Sequence, residues 1–206
     1  MHTMIYLDEI IDADSFTQAV ESSSEKLRNI YHLPKVRQLG MVVADAEKAD
    51  KELVASGLLP FFLAKVRTNQ WLENGVERSL CAKLGIAYRE GIELELIEPV
   101  QNADFYARDI DPQGRILIHH FGFIVQDIEG MLTRLADAGA PLLVRGKLNL
   151  GLVRADFAYM DTRLECGVIS ELISIKILGF HASLPRRLMA LLARLQQRSG
   201  MRTFNL

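Results

Sequence analysis

Apolar and polar positions along this chain follow two periods, and the order of those periods is itself repeated. The run "QLGMVVAD", residues 38–45, is apolar throughout except for its ends. The run "HFGFIVQD", residues 120–127, follows the same plan with a histidine where the first has a glutamine. Laying Gln38 on His120 also lays Gly40 on Gly122, Val43 on Val125, Asp45 on Asp127, Leu53 on Leu135 and Gly57 on Gly139, with no gap. Each copy predicts a strand, an acid at the positive end of a helix dipole, an amphipathic helix and a glycine suited to the C-terminal cap.

Strand patterns follow both helices. In the first copy they are "LPFFLAKV" at 59–66, roughly 77–87, and "GIELELI" at 91–97, the last with clean period-two alternation. In the second they are "APLLVRGKL" from Ala140, "LVRADFAYM" ending at Met160, and "GVISELISI" from Gly167. Both copies close on the same tripeptide, Glu95-Leu-Ile and Glu171-Leu-Ile. The expected fold class is α+β, with paired βαβββ modules forming a concave eight-stranded cleft. Residues 35–100 make the first module and 118–176 the second, joined by a linker at 101–117. A helical extension covers 1–34, and 177–206 hold a basic amphipathic C-terminal helix.

Alternation sets Glu93 and Glu95 opposite Ile92, Leu94 and Leu96, so that one face packs on a helix and the other lines the concavity. Two such sheets side by side turn Gln38, Glu95, His120 and Glu171 into one cleft. Three oxygens and one imidazole nitrogen suit a divalent metal with positions left open for water or substrate. Each residue also has a plainer role by itself. Gln38 can cap backbone or face water, and one of Glu93 and Glu95 can be solvated. Glu171, bracketed by Ile169, Leu172 and Ile173, is costly to bury without a partner. Their equivalent places in the two copies favour the metal site. Of the adjacent histidines only one shares the face of Gln38, and the repeat selects His120, which leaves His119 to packing or the surface. Candidate cleft walls are Phe61, Phe62, Trp71, Tyr88, Phe157 and Tyr159, although aromatic residues on strands more often serve the core.

Composition narrows the field. The 206 residues are 49% hydrophobic, enough for one large domain or two small modules. A formal charge of −2 offers no general attraction for nucleic acid. The charge is uneven, with acids gathered in the first 34 residues and none after Glu171. Cys81 and Cys166 form neither a disulfide framework nor a zinc motif, and are expected as reduced thiols. The N-terminus has no apolar run of signal-peptide or membrane-span length, so a cytoplasmic address is expected. Residues 13–30 predict an amphipathic helix capped by the "DADS" segment. In "SLPRRLMALLARLQQRSG", Ser183 precedes Pro185, a favoured first-turn residue. Leu184, Leu188, Leu191, Leu192 and Leu195 lie on one side, and Arg186, Arg187, Arg194 and Arg198 elsewhere. Such a helix packs on its own domain or across a dimer, lies peripherally on an anionic membrane, or meets the phosphates of a CoA substrate.

Paired modules with one ligand at the head of the first strand and one in the last strand of each resemble the vicinal oxygen chelate superfamily (glyoxalase, bleomycin resistance protein and dioxygenase). The resemblance spans about 35–176 and rests on "QLGMVVADAEKADKELVASG", "GIELELIEP", "HHFGFIVQDIEGMLTRLADAG" and "SELIS". The family's ligand positions match Gln38, Glu95, His120 and Glu171. Their order is similar to that of one class of glyoxalase I, while "ELELIEPV" and "GRILIHHFGFIV" look more like methylmalonyl-CoA epimerase. A glutamine as first ligand departs from the extradiol dioxygenases and counts against ring cleavage at a two-histidine, one-carboxylate iron centre. No counterpart of the residues that hold glutathione in glyoxalases is found.

The resemblance implies one divalent metal ion, with Zn, Co, Ni, Mn and Fe not distinguished. It also implies an isomerase or epimerase moving a proton beside a carbonyl through an enediolate-like intermediate, with Glu171 or Glu95 as base. The substrate would be a small carbonyl compound such as an acyl-CoA, and the assembly a homodimer. A glyoxalase-type lyase and a non-catalytic, resistance-type binding protein are the alternatives.

Overall fold

The computed structural model describes residues 4–182 and 185–205. Ser183 and Leu184, expected at the start of the C-terminal helix, lie outside the described residues. The chain opens with a short helix α1 (Asp8–Ile11) and the longer α2 (Phe16–Tyr31). Ser15 caps α2 by accepting the Gln18 N–H, and the helix buries Phe16, Val20, Leu27 and Tyr31.

The first repeat then runs β1 (Gln38–Val42), α3 (Ala46–Ala55), β2 (Phe62–Arg67), β3 (Gln70–Glu73), β4 (Val76–Glu77), β5 (Cys81–Arg89) and β6 (Ile92–Gln101). A one-turn helix α4 (Asp104–Ala107) leads to the second, which runs β7 (Leu117–Ile124), α5 (Ile128–Asp137), β8 (Leu142–Leu150), β9 (Val153–Met160), α6 (Arg163–Cys166) and β10 (Ile169–Ile177). The chain ends in β11 (Phe180–His181), α7 (Arg186–Ser199) and β12 (Phe204–Asn205). The repeated acids are the caps of the repeated helices. Asp45 accepts the Lys48 N–H at 3.0 Å and Asp127 the Gly130 N–H at 2.9 Å. No helix among the described residues is long and apolar enough to cross a membrane.

All strands join one curled sheet in the order β12-β2-β5-β6-β1-β7-β10-β9-β8-β3-β4, with β11 on β10. Its middle is the expected eight strands, four from each repeat. Within each repeat the first and last strands pair in parallel, β1 with β6 and β7 with β10, and the repeats join where β1 meets β7 antiparallel. Leu39, Met41, Leu94, Leu96, Phe121 and Phe123 face the helices and form the outer core.

Two features depart from the pattern read along the chain. The hairpin β3–β4 is absent from the expected strands, yet its turn, Asn74-Gly75, has the positive φ values (48° and 80°) of the tight hairpin connection that this dipeptide favours. It springs from the first repeat but pairs with the second, setting Trp71 opposite Gly146 on β8. Because β2 and β3 are neighbours in the chain but lie near opposite ends of the strand order, this pairing draws the curl inward. The second departure is in α7, where Leu188, Leu191 and Leu195 remain about half exposed while Met189, Ala193 and Gln196 pack down. Gln196 decides the orientation. Its amide accepts the Leu63 N–H and donates to the Leu63 carbonyl, both at 2.8 Å, and so satisfies the β2 backbone just ahead of the residues that pair with β12.

Candidate metal centre

The two repeats meet so that each head residue crosses the glycine of the other copy. Gln38 pairs with Gly122 across the β1–β7 ladder, and Gly40 pairs with His120. A Cβ on Gly40 would lie 1.8 Å from His120 Cε1, and one on Gly122 would lie 2.7 Å from Gln38 Oε1. The bare glycines therefore leave the space in which the imidazole and the amide lie. The parallel partners supply the acids, since Glu95 is in register with Gly40 and Glu171 with Gly122.

Glu95, His120 and Glu171 each offer one ligand atom, all within 4.8 Å of one another. His120 Nε2 lies 2.9 Å from Glu171 Oε2 and 3.7 Å from Glu95 Oε2, and the side chains are 0%, 7% and 12% exposed respectively. His120 Nε2, Glu171 Oε2 and Gln38 Oε1 are all buried and lack a hydrogen bond of acceptable geometry. Orphaned polar atoms of this kind are costly, and two of them, His120 Nε2 and Glu171 Oε2, belong to a cluster whose chemistry suits a cation. Burial, then the charges of Glu171 and Glu93, hold the Glu95 carboxyl well above the usual carboxylate range. The donor set, one imidazole with carboxylate and amide oxygens, fits a divalent metal.

Gln38 is oriented by Glu93. Its Nε2 donates to Glu93 Oε1 at 2.8 Å, and Tyr88 donates its hydroxyl to the other Glu93 oxygen. With the amide nitrogen committed, Oε1 is the free end. Glu93, open to a solvated role from its sequence, is thus the residue that aims the glutamine.

His119 corrects the expectation that only one histidine shares this face. The β1–β7 register shifts between Gly40 and Met41, so His119 is an extra residue, and such a bulge re-aims its side chain. Both rings turn inward, with Nδ1 of His119 3.0 Å from Nδ1 of His120. His119 Nε2 lies 3.5 Å from Asp109 Oδ2. Burial, then proximity to His120, push the His119 pKa well down and keep the ring neutral. Either ring can be the donor of this contact; with a neutral His119 as acceptor of the His120 Nδ1–H, the His120 Nε2 lone pair is left for the cluster and the His119 proton lies on the Asp109 side.

One end of the concavity is filled. Trp71, Phe105, Tyr106, Phe157 and Tyr159 form a second, inner core. Trp71 is fully buried, Tyr106 and Tyr159 join their hydroxyls at 2.8 Å, and the Tyr159 ring centre lies 5.1 Å from that of His120. Of the expected walls, Trp71, Phe157 and Tyr159 are brought here and Tyr88 borders the opposite end. Phe61 belongs to the outer core, and Phe62 stacks on Phe204. Phe105 and Tyr106 were not singled out. They stand on α4, between the repeats, where no periodic pattern marks them.

Residues 37–158 match the family model of the Glyoxalase/Bleomycin resistance protein/Dioxygenase superfamily. The chain belongs to this superfamily. Its members typically bind a divalent metal, and the Glu95, His120 and Glu171 cluster lies at the join of the two halves. Among solved structures, a hypothetical protein from Bacillus halodurans C-125 is similar at 20% identity and a TM-score of 0.48, over 68% of this chain and 92% of that one. Methylmalonyl-CoA epimerase from Mycobacterium tuberculosis is similar at 18% identity and 0.45, over 67% and 85%. A Streptomyces coelicolor methylmalonyl-CoA epimerase in complex with 2-nitronate-propionyl-CoA is similar at 15% identity and 0.48, over 68% and 96%. These are likenesses of fold. A search of curated proteins finds no match.

Proposed function

We propose that this superfamily member is a metal-dependent isomerase or epimerase that moves a proton at a carbon beside a carbonyl. The observation that carries this reading is the convergence of Glu95, His120 and Glu171 within 4.8 Å, beside the strand join where Gln38 lays its unpartnered oxygen over Gly122. These four side chains would hold the cation, which when bound supplies stabilisation for negative charge developing on a carbonyl oxygen. The protein supplies the proton transfer. A carboxylate of Glu171 or Glu95 is the base, and its conjugate acid returns the proton to the opposite face or to the adjacent carbon. Trp71, Tyr106 and Tyr159 keep bulk water from one side. Acyl-CoA thioesters are the first substrates to test, because Arg187, Arg194 and Arg198 of α7 stand exposed as partners for phosphates.

Elemental analysis of the purified protein beside His120→Ala and Glu171→Gln tests the site. Near-stoichiometric metal in the wild type and its loss in both variants is the expected result, followed by substrate C–H exchange in deuterated water. Absence of metal after reconstitution with several divalent ions would instead favour a binding protein without chemistry.

A further inference from the structure

Helix α7 turns a polar anchor inward and an apolar row outward. Met189, Ala193 and Gln196 pack down, and Leu188, Leu191 and Leu195 lie on the far side, about half exposed. At about 100° per residue these leucines fall within about 60° of one another, and Arg187, Arg194 and Arg198 form a second row directly beside them. The three arginines are exposed, and among the described residues none of them pairs with an acid. Single exposed leucines are ordinary on a protein surface, but two adjoining rows of one length make a continuous face.

Charge narrows the occupant of that face. No acid follows Glu171 in the chain, and the acids that share a cavity with the C-terminal end of α7 are engaged elsewhere. Glu47 pairs with Lys83 and Arg202, and Asp50 accepts the Phe61 N–H. A second copy docking by the same face would set arginines against arginines. A free phosphate compound would meet only part of a row that runs about 16 Å from Arg187 to Arg198, and would leave the leucines uncovered. An anionic bilayer meets both rows at once, with lipid phosphates on the guanidinium groups and the leucines at the acyl boundary. The approach to the helix has the same character. Leu178 and Phe180 are 67% and 78% exposed, and Leu152, whose carbonyl accepts the Leu178 N–H, is 66% exposed.

We infer that the outward face of α7 is a docking surface for an anionic lipid bilayer, with the helix lying in the plane of the interface. Gln196 holds the helix on Leu63, and beyond it Phe204 stacks on Phe62, so the bilayer meets a surface that is already formed and needs no ordering on contact. The inference does not depend on the proposed reaction and asks nothing of the metal cluster.

The test is sedimentation of the full chain with vesicles of phosphatidylcholine alone and of phosphatidylcholine mixed equally with phosphatidylglycerol. Wild type is compared with the double variants Leu191→Gln/Leu195→Gln and Arg194→Gln/Arg198→Gln, and with Leu164→Gln, which changes a leucine 79% exposed on α6. Light scattering without vesicles reports the oligomeric state, and circular dichroism the fold. Wild type should bind the mixed vesicles roughly 10-fold or more tightly than the neutral ones, each double variant should lose roughly 10-fold or more on the mixed vesicles, and Leu164→Gln should match wild type. Wild type that fails to bind the mixed vesicles, or binds both compositions equally, overturns the inference. So does binding that falls in the arginine variant while the leucine variant stays at wild-type level, which would make the face a phosphate site alone. A wild-type dimer that the leucine substitutions dissociate would assign the face to a second copy and overturn it as well.

Discussion

The imidazoles of His119 and His120 meet Nδ1 to Nδ1 at 3.0 Å inside the curled sheet, with Asp109 3.5 Å beyond the far nitrogen of His119. One ring can accept only if it is neutral, and burial keeps His119 so. His119 is then a positioning residue that fixes the tautomer and plane of His120. His119→Phe, which suits the surrounding rings but cannot accept a hydrogen bond, should weaken metal affinity about 10- to 100-fold, and Asp109→Asn should weaken it less. Chelator competition measures both, and circular dichroism establishes that the variants fold. Wild-type affinity in His119→Phe would show that the second histidine only fills space.

Gly40 and His120 give a second prediction. A methyl group at Gly40 cannot coexist with the His120 ring, because Gly40 is held between β6 and β7 and neither strand can yield. Gly40→Ala should lose stoichiometric metal and destabilise the fold by about 1–3 kcal/mol, the usual cost of overpacking. Urea unfolding and metal analysis read the two effects. Metal retained at wild-type level would mean that His120 does not sit where the cluster needs it.

The third concerns pH. Glu95 is raised in the folded, metal-free protein, so the folded state holds a proton that the unfolded chain gives up. The stability linked to this group is fully present below its unfolded value of 4.5 and is lost as pH rises through the higher folded value. Metal-free wild type should therefore gain stability relative to Glu95→Gln as pH falls from 7 toward 4.5. Saturating metal should remove that difference in slope. Parallel pH profiles for the two metal-free proteins, measured by urea unfolding, would contradict the burial of a strained carboxyl at this position.

Much of this arrangement was legible in the sequence because its signals are local and occur twice. The strand heads Gln38 and His120, the capping acids Asp45 and Asp127, and the closing Glu95 and Glu171 each occupy matched places in a repeat, and alternation alone assigns the glutamates to the inner face. The glycines that make room for His120 and Gln38 were also visible, in "QLG" and "HFG", although their purpose emerges only when β1 and β7 are laid antiparallel.

Other features belong to relations between strands. The bulge that turns His119 inward exists in the pairing of β7 with β1, and no period along β7 records it. Trp71 and Phe105 meet in the inner core because a hairpin of one repeat adds to the sheet of the other and the linker folds into the concavity. The exposed leucines of α7 follow from Gln196 binding the backbone of Leu63 on β2, where two hydrogen bonds outweigh the apolar stripe. By itself the sequence determined which residues share a face of each element, since that is set by the backbone's own geometry. The tertiary structure decided which of those faces meet, because pairing register, edge satisfaction and the filling of a cavity depend on atoms distant in the chain.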